Sequence, residues 1–394
     1  MTPEWDVVVI GAGGSQAQAM LVGAARDQDL SRWIAVDRAW RTDTAGVVDQ
    51  LGMRREVVDI FDEPQKLDVL VSSAKLVANF AGPYYRTGGA VLESAIRGGT
   101  DYLDICDDAD AVLGLLGYDQ AAKDAGVTAL VGMGSSPGTT NILIRAAVDS
   151  LGPVASVDIY WTVDIGDMTP AAARHFWHCF NLIDLDGTSH PVPTWDALDR
   201  ATIAFPGSVG TREVVRLAHP EPITVTRFLP VASSRNYGSI TPADAMIISW
   251  SLAYSVDPQR HQSGEDLATL TEKAVDVFLA YQKSRPAGDR IGSGLIIDVH
   301  TDGNGIRYAS GAQTEMAEAT GIPAAAGVLL MLEGKSPGPG VIPPESLSPA
   351  DFFASLPRVS RGGGGLATYR LEDGVQTDRI RLRDLIAGPS TVGA

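Results

Sequence analysis

The sequence is short of cysteine, of positive charge and of long apolar runs, and each shortage excludes a class of protein. Its 394 residues include two cysteines, too few for a disulfide-stapled secreted domain. Lys and Arg number 31 against 48 Asp and Glu, and the net charge of −17 disfavours binding to nucleic acid or an anionic membrane. No apolar run approaches the ~18 residues of a membrane-spanning helix. An apolar strand is predicted soon after Met1, so we expect no signal peptide and a cytoplasmic location.

A glycine turn follows that first strand. Val7–Ile10 runs into the turn, and a helix-compatible stretch follows it. The free N–H groups at the start of such a helix bind the pyrophosphate of a dinucleotide. The residues predicted to bind it are Gly11, Gly13, Gly14, Ser15 and Gln16. Gln16 replaces the third glycine of the G-x-G-x-x-G pattern. Either Ala17 and Ala19 provide the small packing surface instead, or the Gln16 side chain reaches the phosphates.

Acidic residues follow the second and third predicted strands. Asp37 is placed to bind the adenosine ribose, and its carboxylate would repel a 2′-phosphate, which favours NAD. The adjacent Arg38 can bind that phosphate or stack on the adenine, so NADP stays open with NAD slightly favoured. Asp59 is placed either to contact the adenine or to cap the following helix.

Strand–helix alternation through the first third of the chain predicts an α/β fold with a doubly wound parallel Rossmann sheet. From about Ser156, alternating aromatic and β-branched segments predict a second, α+β domain with a mixed or antiparallel sheet. We place the dinucleotide-binding domain at 1–136, completed by C-terminal helices within 337–394. The substrate-binding and dimerisation domain is placed at 137–336.

Several individual elements are predicted from local patterns. Asp108–Ala125 is predicted as one helix and Thr224–Phe228 as a strand. Thr301-Asp302-Gly303 is predicted as a hairpin turn between two strands. The Pro- and Gly-rich segment Gly334–Pro344 is predicted as a loop. Leu366–Leu385 is predicted as a small hairpin or a loosely docked tail.

Two further backbone segments are predicted at the carboxyl ends of strands, where parallel sheets bind ligands. The one after the fourth strand supplies the predicted cofactor-binding residues Asn79, Ala81, Gly82, Pro83 and Tyr84. The one after the sixth strand places Pro137 and Gly138 before another helix N-terminus.

The candidate acid/base residues are Asp104 and Tyr237. Asp104 ends the fifth strand, and a carboxylate cluster with Asp107 and Asp108 at this edge is suited to hold or deprotonate an amine. The alternative is that Asp107 or Asp108 caps the next helix. Water can also carry the proton, which would leave no single catalytic side chain.

Candidate substrate-binding residues lie in the second domain. Arg174 and His178 are spaced to share one helix face, and either Arg174 or Arg235 could clamp a substrate carboxylate. His175, His178 and Cys179 superficially suggest a metal, but no further ligands follow at a suitable spacing along the chain. We therefore predict no metal site.

An ordered set of motifs covers roughly residues 5–356. They are the glycine turn, Asn79–Tyr84, Tyr102–Asp104, Pro137–Asn141, Phe205–Val214, His219–Pro222, Thr320–Pro323, Pro339–Val341 and Pro344–Glu345. Together they resemble the saccharopine dehydrogenase family, which includes saccharopine reductases and carboxynorspermidine dehydrogenases. Two positions depart from the family: Ser136 stands where an Asp is usual before the Pro-Gly, and Cys106–Asp108 replaces an Asp-x-(Ser/Thr)-Gly-Glu pattern.

The resemblance implies an NAD(P)-dependent oxidoreductase and often a homodimer. Its chemistry interconverts a secondary amine with an imine, formed from an amine and a keto acid or aldehyde, by hydride transfer. The family also has members resembling enoyl reductases, so reduction of a C=C bond on an apolar or carrier-bound substrate is a second hypothesis. A non-catalytic dinucleotide sensor or scaffold is a third. None of these implies a nucleic-acid or membrane partner.

Overall fold

The computed structural model describes residues 3–261, 266–286, 292–312, 315–362 and 365–386. Its strands are β1 (Trp5–Ile10), β2 (Trp33–Asp37), β3 (Arg54–Val57), β4 (Ala74–Asn79), β5 (Asp101–Asp104), β6 (Thr128–Leu130), β7 (Ser156–Asp164), β8 (Arg200–Phe205), β9 (Gly210–Arg216), β10 (Ser234–Thr241), β11 (Ser293–His300), β12 (Asn304–Ala312), β13 (Gly340–Ile342), β14 (Ala367–Glu372) and β15 (Val375–Ile380). Its α-helices are α1 (Ser15–Ala24), α2 (Thr42–Gln50), α3 (Pro64–Ser72), α4 (Tyr84–Gly98), α5 (Ala109–Leu116), α6 (Asp119–Ala125), α7 (Thr139–Leu151), α8 (Pro170–His178), α9 (Glu221–Phe228), α10 (Ala243–Ser255), α11 (Leu267–Ser284), α12 (Met316–Leu332), α13 (Pro349–Val359) and α14 (Leu382–Ile386).

The first sheet is parallel and has the order β13-β6-β5-β4-β1-β2-β3. The strand order reverses between β1 and β4, and ligands of open α/β sheets bind at such a reversal. Register places Ile10 beside Asn79 and Asn79 beside Asp104, so the ends of three strands meet at one edge. The predicted doubly wound α/β sheet is confirmed.

Three of the predicted elements are wrong. Gly334–Pro344 is predicted as a loop because of its glycines and prolines, but it contains a short strand, β13, which pairs with β6. The predicted helix Asp108–Ala125 is two helices, since α5 ends at Leu116 with Gly117 as its C-cap residue, whose N–H donates to the Gly114 carbonyl oxygen. Thr224–Phe228 lies in α9 rather than in a strand, because Pro222 in the first turn favours a helix start over the β-branched preferences that follow.

The second sheet has the order β15-β14-β12-β11-β7-β10-β9-β8. β7 and β10 run parallel, and the other neighbouring pairs are antiparallel. A mixed sheet in an α+β domain is therefore confirmed. So are the hairpin at Thr301–Gly303 and the hairpin in Leu366–Leu385, which extends this sheet as β14 and β15.

The two sheets belong to two compact units. The first unit comprises Met1–Ala146 and Ala317–Gly363, and the second comprises Ala147–Met316 and Gly364–Ala394. In the second unit, α8, α10 and α11 bury an aromatic cluster that includes Phe176, Trp177, Phe180 and Phe278. Among the residues that the structure describes, no helix is both long and apolar enough to cross a bilayer.

Candidate functional site

Gly11 brings the glycine turn against the backbone that follows β4. Its φ is +74°, and a Cβ atom there would lie 2.7 Å from the Ala81 nitrogen and the Phe80 carbonyl carbon. The Phe80 N–H donates to the Ile10 carbonyl oxygen at 2.7 Å, which joins the two segments. Only glycine meets both the positive φ and the close approach.

Gln16 is accommodated by small residues around it. Ala17 is fully buried in the first unit. On α12, a Cβ atom at Gly321 would lie 2.5 Å from the Gln16 carbonyl oxygen and 2.7 Å from Ala19 Cβ. The helix α1 thus packs tightly through small residues, one of them remote in sequence. That the Gln16 side chain reaches the phosphates stays a prediction.

Asp37 lies directly against the glycine turn. The Gly13 N–H donates to Asp37 Oδ2 at 2.8 Å, and a Cβ atom at Gly13 would lie 2.9 Å from that oxygen. The Ala39 N–H donates to Oδ1 at 3.3 Å. Arg38 beside it is exposed. The carboxylate is therefore held where β2 ends, next to the turn that a dinucleotide would occupy.

Asp59 closes a turn after β3. Its Oδ1 accepts from the Phe61 N–H at 2.9 Å and the Asp62 N–H at 3.3 Å, and these bonds lower its pKa. Helix α3 begins later, with Glu63 as its N-cap residue. Asp59 thus shapes the loop at this edge and does not cap α3. Whether it contacts the adenine stays a prediction.

Asn79 and Thr87 fix the segment that follows β4. The Ala81 N–H donates to Asn79 Oδ1 at 3.1 Å, and the Thr87 hydroxyl donates to the carbonyl oxygens of Ala81 and Pro83. The peptide bond between Gly82 and Pro83 is cis. The backbone at Ala81 and Gly82 is thus presented at the sheet edge in a fixed shape.

Asp108 is the N-cap residue of α5, but its side chain makes no cap hydrogen bond there and instead caps the start of α4. Its Oδ2 accepts from the N–H groups of Tyr84 and Tyr85, at 2.9 and 3.2 Å, at the start of α4. The pKa of the buried Tyr84 hydroxyl is raised by desolvation and then by the nearby charge of Asp104. The first two N–H groups of α4 therefore already have a hydrogen-bond acceptor in the Asp108 carboxylate. The sequence motif held this carboxylate but gave no sign of its partner.

Asp104 is the centre of a buried hydrogen-bond network. Its side chain is fully buried; Oδ2 accepts from the Tyr102 hydroxyl at 2.7 Å, and Oδ1 accepts from the N–H groups of Gly132 and Cys106 at 2.7 and 3.0 Å. The Asn79 amide donates to the Tyr102 oxygen at 3.3 Å. Burial raises the Asp104 pKa to about 6, against the lowering effect of these bonds. The network ties together the ends of β4, β5 and β6.

The loop after β6 is closed by contacts within the first unit. Gly138 has a φ of +124°, and its N–H donates to Asn141 Oδ1 at 2.9 Å. The Asn141 amide donates in turn to Glu345 Oε2 at 2.8 Å, and both side chains are fully buried. Pro137 precedes Gly138 through a cis peptide bond from Ser136. The family motifs contained Asn141 and Glu345, but only the fold pairs them.

The predicted substrate residues of the second unit already have protein partners. Arg235 makes a bidentate pair with Asp158 at 2.7 and 3.1 Å, and Arg174 donates to both carboxylate oxygens of Glu272 at 2.7 Å. The Tyr237 hydroxyl donates to Asp199 Oδ2 at 3.0 Å, and burial followed by this bond raises its pKa.

Tyr237 stacks on Tyr160 with ring centroids 5.4 Å apart. His178 lies in the last turn of α8, one turn from Arg174, and is half-buried. Arg235 and Tyr237 therefore share one face of β10, whereas Arg174 and His178 lie on α8.

A second polar cluster lies at the C-terminal end of α8. His175, Cys179 and His219 bring their ligand atoms within 4.8 Å of one another. The prediction of no metal site rests on spacing near α8 along the chain, and His219 is remote from that helix in sequence. Only the fold places that imidazole beside the other two residues.

Comparison with known proteins finds a family match within the first unit. Residues 7–130 match the model for the saccharopine dehydrogenase NADP binding domain. The predicted resemblance to the saccharopine dehydrogenase family is confirmed. So is the prediction of a nicotinamide dinucleotide cofactor, at the level of the dinucleotide rather than of NAD or NADP.

The chain is also similar to characterised proteins over most of its length. It is 23% identical to carboxyaminopropylagmatine dehydrogenase of Synechocystis, over 89% of this chain and 94% of that protein. Homospermidine synthase of Legionella pneumophila, solved with NAD, matches with a TM-score of 0.63 at 12% identity over 94% of this chain and 92% of that one. Saccharopine dehydrogenase (L-Glu forming) of Saccharomyces cerevisiae matches with a TM-score of 0.57 at 14% identity, over 93% of this chain and 100% of that one. These two structures establish a shared fold.

Proposed function

We propose that this chain, which carries a saccharopine dehydrogenase-type NADP-binding domain, is an NAD(P)-dependent oxidoreductase acting on a C–N bond. It would interconvert a secondary amine with an imine formed from an amine and a keto acid or aldehyde. The observation that carries the proposal is the shared edge of β1, β4 and β5, with the glycine turn and Asp37 beside it. The full-length relative, named a carboxyaminopropylagmatine dehydrogenase, supports an amine substrate.

The residues at this edge fit a dinucleotide. Gly14 and Ser15 are exposed at the start of α1, so their backbone groups can reach a pyrophosphate, and Asp37 is positioned for the ribose. When bound, the nicotinamide supplies or accepts the hydride. The protein binds and orients it: the Asn79–Tyr84 segment presents a fixed backbone surface, and Asp104 acts as a positioning residue because its carboxylate is buried and fully bonded.

The function is tested by following oxidation of NADH and NADPH with a matrix of amines and carbonyl compounds. Diamines and guanidino amines are paired with small keto acids and aldehydes, and an enoyl thioester is included without amine. Turnover that needs both the amine and the carbonyl partner supports the proposal. Turnover of the enoyl thioester alone would favour the C=C reductase instead, and cofactor binding without any turnover would favour the sensor.

We expect Asp37→Asn to shift cofactor preference from NADH toward NADPH. The amide keeps an oxygen for the Gly13 N–H but removes the charge that opposes a 2′-phosphate, which Arg38 can then bind. The dissociation constant for NADPH divided by that for NADH should fall roughly 10-fold, which corresponds to about 1.4 kcal/mol of binding free energy. Fluorescence titration measures both constants. Asp62→Asn, an exposed carboxylate in the turn after β3 with no proposed cofactor contact, is the control, and an equal shift in both variants would contradict the assignment.

Tyr237→Phe tests the proposed acid/base residue of the second unit. We expect kcat to fall roughly 100-fold with little change in KM, as for loss of a proton donor. Tyr160→Phe is the matched control, because that ring stacks on Tyr237 and its hydroxyl has no proposed role. Equal losses in the two variants would assign a packing role to both. A second pair of variants tests substrate binding. Arg235 and Arg174, the latter with His178, are each proposed to bind a substrate carboxylate, so we expect Arg235→Lys and Arg174→Lys to raise KM.

We also propose a cytoplasmic homodimer that pairs through the second unit. The face of its sheet opposite α8, α10 and α11 carries half-buried hydrophobic side chains, including Ala201, Ile203 and Tyr369. Such a face is suited to a symmetric contact with a second copy. Light scattering after size exclusion should give twice the mass of 41.5 kDa, and a monomer at micromolar concentration would contradict the proposal.

A further inference from the structure

We propose that His175, Cys179 and His219 bind one divalent metal ion of the zinc class. Cys179 Sγ lies 3.3 Å from His175 Nε2, and all three ligand atoms lie within 4.8 Å of one another. Tetrahedral coordination, with Zn–S of about 2.3 Å and Zn–N of about 2.0 Å, places neighbouring sulfur and nitrogen ligands roughly 3.5 Å apart. The cysteine–histidine pair is thus already at the separation that one shared ion requires.

Local structure explains why these side chains converge. His175 and Cys179 are four residues apart at the end of α8, so they lie on the same helix face, and Cys179 is the C-cap residue. The carbonyl end of a helix carries partial negative charge, which favours a cation there. The Ala218 N–H donates to the Cys179 carbonyl oxygen at 2.7 Å, and this bond brings His219 alongside.

A chain of hydrogen bonds prepares His219 as a metal ligand. The Trp161 indole N–H, which can only donate, points to Asn236 Oδ1 at 2.7 Å. The Asn236 amide nitrogen therefore faces Glu221 Oε2, at 3.4 Å, and donates to it. That same carboxylate oxygen lies 2.8 Å from His219 Nδ1. The carboxylate accepts from both, so Nδ1 carries the proton and Nε2 presents its lone pair. Metal-binding histidines are typically oriented by a carboxylate in this way.

The charges of the cluster also suit a divalent cation. Glu221 is 0% exposed, Cys179 is 2% exposed and His219 is 4% exposed. Metal binding deprotonates a cysteine ligand, and one divalent ion then balances the Cys179 thiolate and the buried Glu221 carboxylate. Three protein ligands leave one tetrahedral position for water or for a nitrogen or oxygen of a small molecule. Such an open position is typical of zinc sites that bind an exchangeable ligand.

The metal content of the purified protein, with any affinity tag removed, tests the proposal. Protein produced with zinc and dialysed against metal-free buffer should contain about one zinc per chain by mass spectrometry. Cys179→Ser and His219→Gln should each lose this stoichiometric zinc. Cys106→Ser is the matched control, because it removes the other buried cysteine, in the first unit. Glu221→Gln should keep the ligands but weaken zinc affinity 10–100-fold, as for loss of an orienting partner.

Cobalt replacement gives a second readout, and its measurement on the wild-type protein does not depend on a variant folding. The wild-type protein loaded with cobalt(II) should show a thiolate-to-cobalt charge-transfer band and the intense visible bands of tetrahedral coordination. The band should persist in Cys106→Ser and disappear in Cys179→Ser. A wild-type protein that takes up neither zinc nor cobalt, or a cobalt complex without the thiolate band, overturns the proposal. Equal zinc content in wild type and a folded Cys179→Ser variant overturns it as well.

Discussion

Gly11→Ala is expected to abolish dinucleotide binding and to destabilise the protein by several kcal/mol. Left-handed backbone conformation costs an L-residue roughly 1–2 kcal/mol, and the φ of Gly11 is +74°. The added Cβ would also lie 2.7 Å from the Ala81 nitrogen and the Phe80 carbonyl carbon. Both are backbone atoms, which cannot turn away as a flexible side chain does. The Asn79–Tyr84 segment would have to move, and with it the surface proposed to face the cofactor.

Gly52→Ala separates the two causes. Gly52 has nearly the same φ, +71°, but a Cβ atom there would have no neighbour within 4 Å. It should cost about 1–2 kcal/mol from backbone strain alone and leave NADH binding intact. Urea unfolding gives the stability of both variants, and nicotinamide fluorescence gives their cofactor affinity. If the two variants lose equal stability and both still bind NADH, the contact between the turn and Ala81 has no role.

The glycine turn also shows which features of the site can be predicted from local sequence patterns. The strand–glycine–helix order and the acidic residue after β2 have local signatures, so the parallel sheet and its edge were predicted from pattern alone. At Gln16 the sequence offers two local alternatives, small packing residues at Ala17 and Ala19 or a side chain that reaches the phosphates, but it does not show the remote contact. The small residue that accommodates it, Gly321, lies on α12, and its Cβ would lie 2.5 Å from the Gln16 carbonyl oxygen. A compensation that depends on contact between remote segments leaves no trace in a local motif.

The same reason explains the misjudged polar residues. Asp108 stands at the N-cap position of α5, as one alternative predicts, but its carboxylate accepts from N–H groups of α4. His219 is not predictable beside His175 and Cys179, because it lies on a remote segment and spacing along the chain relates ligands on one element. The sequence predicts which strand ends lie at the same edge of the sheet. The orientation of each side chain there depends on packing, which the sequence pattern does not show. The residues of the second unit were therefore predictable as candidates but not as a constellation.

Asp104 is expected to make the free energy of unfolding depend on pH. Its pKa is raised from 3.8 to about 6, with desolvation the largest cause. The folded protein therefore binds more protons than the unfolded chain between these two values. The stabilisation that belongs to the protonated carboxyl is fully present below pH 3.8 and is lost as the pH rises through 6. This direction is opposite to that of a salt-bridged carboxylate, whose folded-state pKa is depressed.

Asp104→Asn should remove that dependence, because the amide mimics the protonated carboxyl and its oxygen can still accept from Gly132 and Cys106. The difference between the two pKa values is 6 − 3.8, about 2.2 units. The unfolding free energy of wild type minus that of Asp104→Asn should thus fall by about 3 kcal/mol from below pH 4 to above pH 7. Urea unfolding across this range measures it. Asp101→Asn, on the same strand but half-buried with one N–H donor, should give a smaller change. A flat difference for Asp104 would mean that its hydrogen bonds fully offset the effect of burial on its pKa.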